Sequence, residues 1–228
     1  EWEPHASYES YWGFDGLQET ATLHLDSRLD FESGYSLGST ALNVQFEGLR
    51  TPFEVYRKTT KTGTRSIVVP AGDYRSPYFL TMGNTDRRKW ISANMSANIG
   101  GFLSGTQVSL GPGLTIRKEG RLTSNIRWTH NDIDLPEGQF VTNLVTGRLT
   151  YNLSTVVNAS TLIQYNDRTN RWSTNLRFTW LRTAATGLYV VYNDTEGFDS
   201  ATAGSFNGVG PVNRSFIVKY SHQIDVLQ

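Results

Sequence analysis

Hydrophobic and polar positions alternate along most of this chain with a period of two. Between Trp172 and Trp180 one side carries Trp172, Thr174, Leu176, Phe178 and Trp180, and the other carries Ser173, Asn175, Arg177 and Thr179. Successive side chains of a β-strand point to opposite faces, so this segment reads as a strand with one apolar and one polar side. The pattern recurs in Leu122, Ser124, Ile126 and Trp128 against Thr123, Asn125, Arg127 and Thr129. Ile91, Ala93, Met95, Ala97 and Ile99 oppose Ser92, Asn94, Ser96 and Asn98, and Ala21, Leu23, Leu25, Leu29 and Phe31 oppose Thr22, His24, Asp26, Arg28 and Asp30. Near the C-terminus Phe216, Val218, Tyr220 and Ile224 oppose Lys219, Ser221, Gln223 and Asp225, with His222 on the apolar side. About twelve strands are expected, over 5–14, 17–32, 35–49, 66–82, 88–102, 106–118, 121–134, 139–153, 156–167, 171–183, 187–194 and 213–227. Helical periodicity fails almost everywhere, and no linker or composition shift divides the chain, so residues 1–228 are expected to form a single domain. The segment Ser109–Leu114 contains Pro112, which sits poorly in a central strand. It reads as one strand with a bulge in preference to a turn splitting the strand in two.

Alternation alone does not separate a soluble sandwich from a membrane barrel, because a sandwich strand also has one apolar face. Length favours the barrel. Soluble strands cluster near ~5–6 residues, whereas a tilted membrane strand needs ~9–11, and the segments here reach that length or more. Trp172 and Trp180 share a face, and at ~3.3 Å per residue and a strand tilt near ~40° they lie roughly 20 Å apart along a membrane normal. That approaches the ~25 Å apolar band whose edges barrels mark with aromatic girdles. Trp12, Trp90, Trp128, Tyr165, Trp172, Trp180 and Tyr220 are the candidate interface aromatics, joined by Phe31 and Tyr151 near strand ends. Connections also differ in length: the third (50–65), seventh (131–139) and eleventh (195–212) are expected to be long, and the even-numbered ones short. Long loops on one side and tight turns on the other is the habit of outer-membrane barrels, and its parity puts the C-terminus on the periplasmic side. The expected fold is therefore an all-β, transmembrane, antiparallel up-and-down β-barrel of about twelve strands, or part of a larger barrel.

Composition narrows the function classes. Hydrophobic residues are 38% and mean hydropathy is −0.40. No apolar run approaches the ~18 residues a spanning helix requires. Twenty-one basic residues balance 21 acidic ones, which argues against a nucleic-acid partner. The absence of cysteine excludes a disulfide framework and thiolate metal sites.

On the polar sides, His24, Asp26, Arg28, Glu47, Asn125, Arg127, Asn175, Arg177, Lys219 and Asp225 are candidates to line a lumen, with Asp30, Asn43, Gln45 and Arg148 beside them. Rings of mixed charge would set selectivity in a water-filled passage. The same residues would equally form a paired network filling a narrow interior, since eight-stranded barrels are filled and sixteen-stranded ones hold channels. No metal site is expected among them. Asn131, Asp132, Asp134, Asn166, Asp167, Asp194, Glu196 and Asp199 fall on expected outer loops, where Asp132, Asp134, Asp167 and Asp194 offer oxygens for calcium, although Asn and Asp are also turn formers. His5, His24, His130 and His222 are scattered over separate strands, and neither Gly-x-Ser-x-Gly nor His-Glu-x-x-His occurs. No catalytic residue is assigned. An outer-membrane hydrolase built near His130 and a soluble all-β binding module are the alternatives. Asn94, Asn152 and Asn158 begin Asn-x-Ser/Thr matches that fall within strands.

Several stretches resemble an outer-membrane barrel family: Val69–Tyr74, Gly100–Phe102, His130–Pro136, Leu162–Asp167, Asn175–Phe178 and Leu188–Asn193. The family is known as domain of unknown function 5916, and its barrel usually follows a family-9-like carbohydrate-binding module. The resemblance, over roughly 35–228, implies the C-terminal part of such a barrel, located in the bacterial outer membrane. Lipid and lipopolysaccharide would be its partners, with other envelope proteins beside them. The family has no established catalytic residues, so none transfers. The function implied is a pore, an uptake component or a membrane scaffold. Two departures go with it: no N-terminal module or signal peptide is recognisable, so the chain is expected to be processed or a fragment, and Val226-Leu227-Gln228 lacks the final aromatic usual in such barrels.

Overall fold

The computed structural model describes residues 1–60, 63–183, 186–197 and 210–223. Among these the chain is entirely β, with every described pairing antiparallel. Contacts divide it into two compact units, Glu1–Leu114 with Trp128–Asn143, and Thr115–Arg127 with Leu144–Gln228.

The first unit contains β1 (Trp2–Trp12), β2 (Gln18–Asp30), β3 (Ser36–Leu49), β4 (Phe53–Thr60), β5 (Gly63–Val69), β6 (Gly72–Asn84), β7 (Ile91–Phe102) and β8 (Gly105–Leu110). Strands β9 (Gly113–Lys118), β10 (Leu122–Leu135) and β11 (Gly138–Asn152) divide their residues between the units. The second unit is completed by β12 (Val157–Asn166), β13 (Arg171–Thr183), β14 (Thr186–Gly197) and β15 (Gly210–Ser221).

In the first unit the order β1-β2-β3-β6-β7-β8-β10 is an up-and-down meander, interrupted only by the separate hairpin β4–β5. In the second, β11 to β15 follow one another in sequence order. Turn chemistry accounts for the reversals. Leu17 N–H donates to Asp15 Oδ1 at 3.0 Å, and the amides of Val156 and Val157 donate to Ser154 Oγ. Glu119 and Gly120 both have positive φ, 50° and 65°, the two-residue arrangement whose twist matches flanking strands.

The register aligns like faces across strands. Leu25, Leu42, Phe79, Ile99 and Val108 form one continuous row over five strands of the first unit. Their exposures are 47%, 63%, 38%, 46% and 40%. The neighbouring row on the opposite face contains His24, Asn43, Tyr78, Gly100 and Gln107, of which Asn43 is only 3% exposed. In the second unit Tyr151, Ala159, Phe178, Val190 and Val218 align on the apolar face, and Asn175, Asn193 and Ser215 on the polar one. Burial in the strand bodies is thus inverted: polar groups such as Ser76, Ser92 and Thr179 are buried, while Leu23, Met95, Ile126, Leu176 and Phe178 are exposed. A water-soluble sandwich has the opposite distribution.

The hydrophobic core lies elsewhere. Tyr56, Ile67 and Val69 of the β4–β5 hairpin bury themselves against Ile133 and Leu135 of β10 and Phe140 of β11, with Leu49, Tyr74 and Phe102 at the margin. The Tyr56 and Phe140 rings stack with centroids 4.6 Å apart. Arg65 Nη2 donates to the Gln139 carbonyl. Ile133 pairs with Gln107, so the hairpin sits on the polar face, at the end of β3, β6 and β10.

Four sequence expectations change. The segment 50–65 is a hairpin in place of a loop, and 66–82 is broken at Pro70-Ala71 between β5 and β6. The segment 131–139 is strand, with a turn of only Pro136 and Glu137, because Ile133 and Leu135 alternate with Asp132 and Asp134 beneath the hairpin. Strand β1 begins at Trp2. At Gly111-Pro112 the strand is interrupted without reversing: Gly111 keeps both hydrogen bonds to Ser96, Trp128 N–H donates to the Pro112 carbonyl, and β9 retains β7 and β10 as neighbours. Proline has no N–H to contribute there, which is why the ladder breaks at that point. Most of the expected loop 195–212 lies outside the described residues.

Candidate functional site

The densest polar arrangement is on β1, β2 and β3. Strand β1 pairs His5 with Asp26 and Ser7 with His24, which puts both histidines and the carboxylate on one face. His5 Nδ1 is 3.2 Å from Asp26 Oδ1, and His24 Nε2 is 3.4 Å from Asp26 Oδ2. The imidazole centroids are 5.9 Å apart. His24 Nδ1 donates to Asn43 Oδ1 at 2.5 Å, and Asn43 is buried, its Nδ2 without a partner among the described residues. Ser39 Oγ donates to Asp26 Oδ2 at 3.1 Å. Ser39 holds a positive φ of 26° at a register shift between Gly38 and Ala41. Bulges of this kind re-aim a side chain. Here the result is a hydroxyl directed at the carboxylate. Among the described residues, His5, His24 and Asp26 are the one group of three ligating side chains with donor atoms within 4.8 Å of one another.

His5, Asp26 and Ser39 line an open cavity of about 700 Å3 that continues past Glu3, Arg28 and Asp30 to the turns at 31–35 and 85–88. Arg28 Nε pairs with Asp30 at 2.7 Å. At the rim, Asp86 accepts from the Arg88 backbone N–H and its guanidinium at 2.9 and 2.9 Å on Oδ1, and again at 3.1 Å on Oδ2. These hydrogen bonds hold the Asp86 carboxyl below the usual carboxylate range and push the Arg88 guanidinium up. Gly34 abuts the pair: at φ +86° a Cβ there would lie 2.6 Å from Asp86 Cγ.

The other expected lining residues are distributed along the polar face. Glu47 accepts from Gln45 at 2.5 Å, and Asn125 donates to Thr115 at 2.9 Å. Asn175 donates to Asn193, which donates to Ser215, making a three-strand ladder. Arg127, Arg177 and Lys219 are exposed, and Asp225 lies outside the described residues.

The expected interface aromatics divide. Trp12 and Trp90 are exposed, at 60% and 68%, at the end of β1 and just before β7, and Tyr220 is 61% exposed near the end of β15. Tyr165 and Trp172 form a cross-strand ring pair with centroids 4.9 Å apart, and Trp180 lies near the end of β13, half-buried. Trp128 departs from expectation. It lies in the middle of β10, away from either strand end, and its Nε1 donates to Asn143.

The same Asn143 Oδ1 lies 2.8 Å from His130 Nδ1, with the Trp128 ring against the imidazole. Asp132 and Asp134 are strand residues of β10 in place of loop residues, and Asp194 in β14 is paired with Arg214 at 2.7 Å. Asp167 lies in the turn between β12 and β13. A comparison with protein-family models, curated proteins and solved structures finds no match to the chain.

The sequence named His24, Asp26 and Asn43 on the polar side and treated His5 as isolated. Centring the first hairpin on Asp15-Gly16 is the signal that pairs His5 with Asp26. Ser39, Asp86 and Arg88 carried no signal of their own, since a bulge and a turn bring them to the cavity.

Proposed function

We propose that the chain is a strand-spanning component of a bacterial outer membrane, non-enzymatic, whose apolar face meets lipid and lipopolysaccharide and whose polar face walls an aqueous interior. The observation that carries this reading is the inverted burial of the strand bodies. Along the strand rows aliphatic and aromatic side chains are exposed on one side, while amides and hydroxyls on the other are buried or half-buried. Hydrocarbon is the medium in which that distribution lowers the free energy, at ~25 cal/mol per Å2 of apolar surface removed from water.

Within this reading the function is uptake or permeation, with the β4–β5 hairpin acting as a cover over part of the polar face. The hairpin's apolar residues pack on that face, which favours a partly closed passage over a freely open one. Closure of the strands into a barrel, about twelve of them spanning, with the C-terminus periplasmic, belongs to the same proposal.

Extraction into detergent followed by electrophoresis tests the membrane reading: a folded barrel migrates differently before and after boiling. Partition into the aqueous phase without detergent overturns it. Planar-bilayer recording then tests permeation. Stepwise conductance is expected, larger when residues 53–69 are replaced by a short Gly-Ser linker. Steady closure at all voltages in both forms rejects the passage and leaves a scaffold.

A further inference from the structure

We propose that His5, His24 and Asp26 form a binding site for one divalent transition-metal ion of the zinc class, open to the adjoining cavity. Four observations within the first unit converge on it.

The donor set is right in kind. Two imidazoles and a carboxylate are the nitrogen and oxygen ligands that Zn2+ and its neighbours take, and three protein ligands leave a position for water or a ligand. The spacing is right in size. Neighbouring donors on a tetrahedral ion with bonds of ~2.0–2.1 Å lie about 3.3–3.4 Å apart. Asp26 Oδ1 lies 3.2 Å from His5 Nδ1 and Asp26 Oδ2 lies 3.4 Å from His24 Nε2, and one ligand atom from each of the three residues lies within 4.8 Å of the other two.

The third observation is the outer hydrogen bond. His24 Nδ1 faces Oδ1 of the buried Asn43, which leaves Nε2 directed at the Asp26 carboxylate. An outer hydrogen bond on the second ring nitrogen is also how metal-bound histidines are oriented. Asn43, at 3% exposure, cannot relax into water.

The fourth is strain. Ser39 sits at φ +26° in a bulge, and its hydroxyl reaches Asp26 Oδ2. Left-handed backbone at a non-glycine residue is costly and persists where the surroundings fix it. Its effect here is to orient the carboxylate. The site does not depend on what covers the apolar face.

The test is equilibrium dialysis of the folded full chain in detergent against Zn2+, with Co2+ as an optical probe. One saturable Zn2+ per chain is expected, together with intense visible Co2+ absorption of the four-coordinate kind. His5→Ala should weaken binding about tenfold or more, and Asn43→Ala by a similar factor through loss of ring orientation. His130→Ala and His222→Ala should leave it unchanged. His5 is exposed, with 61% of its side chain accessible, so its replacement reads the site without threatening the fold if His24→Ala fails to assemble. Absence of saturable Zn2+, or equal uptake by wild type and the His5→Ala, Asp26→Asn pair, overturns the proposal. So does a His24 ring resonance that is the same with and without Zn2+.

Discussion

The hairpin-covered end of the first unit and the strand bodies below it solve opposite problems with the same residue types. Under β4–β5, Val69 is fully buried and Tyr56, Ile67, Ile133, Leu135 and Phe140 close a dry cluster around it. Along the strands Leu42, of comparable hydrophobicity, is 63% exposed, and the polar Asn43 beside it is buried. The first region is held by protein packing against protein. The second leaves its aliphatic and aromatic side chains exposed and buries or half-buries amides such as Asn43, Asn175 and Asn193. Chain position does not distinguish the two regions: Phe102 and Val108 lie on neighbouring strands yet belong to different regimes.

Substitutions can break this contrast. The largest effect is expected for Phe140→Ala, which removes the ring stacked on Tyr56 and leaves a cavity in the packed cluster. A loss of about 3–5 kcal/mol should appear in denaturant unfolding, in detergent and in bilayers alike. Next comes Leu42→Arg. In a lipid bilayer a guanidinium at mid-depth costs about 2–4 kcal/mol, whereas an exposed residue in water changes stability by about 0.5 kcal/mol or less. Equilibrium folding into vesicles measures it, and a value near the lower figure would end the lipid-facing interpretation. Gly34→Ala should cost about 1–2 kcal/mol, because φ +86° is a left-handed conformation and the added Cβ meets Asp86. Its loss should be the same in any medium.

The smallest effect is a pH dependence. The Asp86 carboxyl is held below its ordinary value of 3.8 by the Arg88 hydrogen bonds. The unfolded chain therefore binds more protons than the folded one in the interval between the two values. Stability from this pair is full above the ordinary value and falls as pH drops through the depressed one. Thermal transitions recorded from about pH 6 down to about pH 3 should show that decline in the wild type and a flatter one in Asp86→Asn.

Much of the strand system was legible because alternation is a local property. Trp172 to Trp180, Ile91 to Ile99 and Leu122 to Trp128 each declare two faces within a few residues, and the antiparallel pairing joins like faces. The β4–β5 hairpin was not. Its apolar positions are sparse among Arg57, Lys58, Thr59, Thr60 and Lys61, and their partners on β10 and β11 are far away in sequence. The strand over 121–134 was legible, but the connection after it was read as a long loop over 131–139. Apolar residues change sides between Trp128 and Ile133, so Asn131, Asp132 and Asp134 resemble turn residues when the hairpin is left out of account. Of the histidine cluster, the face was readable and the company was not, since His5 joins Asp26 only once the first reversal is placed and Ser39 only once β3 bulges.

One contact also orders events in time. Arg65 meets the Gln139 carbonyl across 74 positions of chain, whereas neighbouring strands of the meander zip together through short reversals. Joining distant segments loses more chain entropy before any contact compensates for it. Contact order therefore predicts that the ribbon from β6 to β10 pairs before the hairpin strands pack onto Ile133, Leu135 and Phe140.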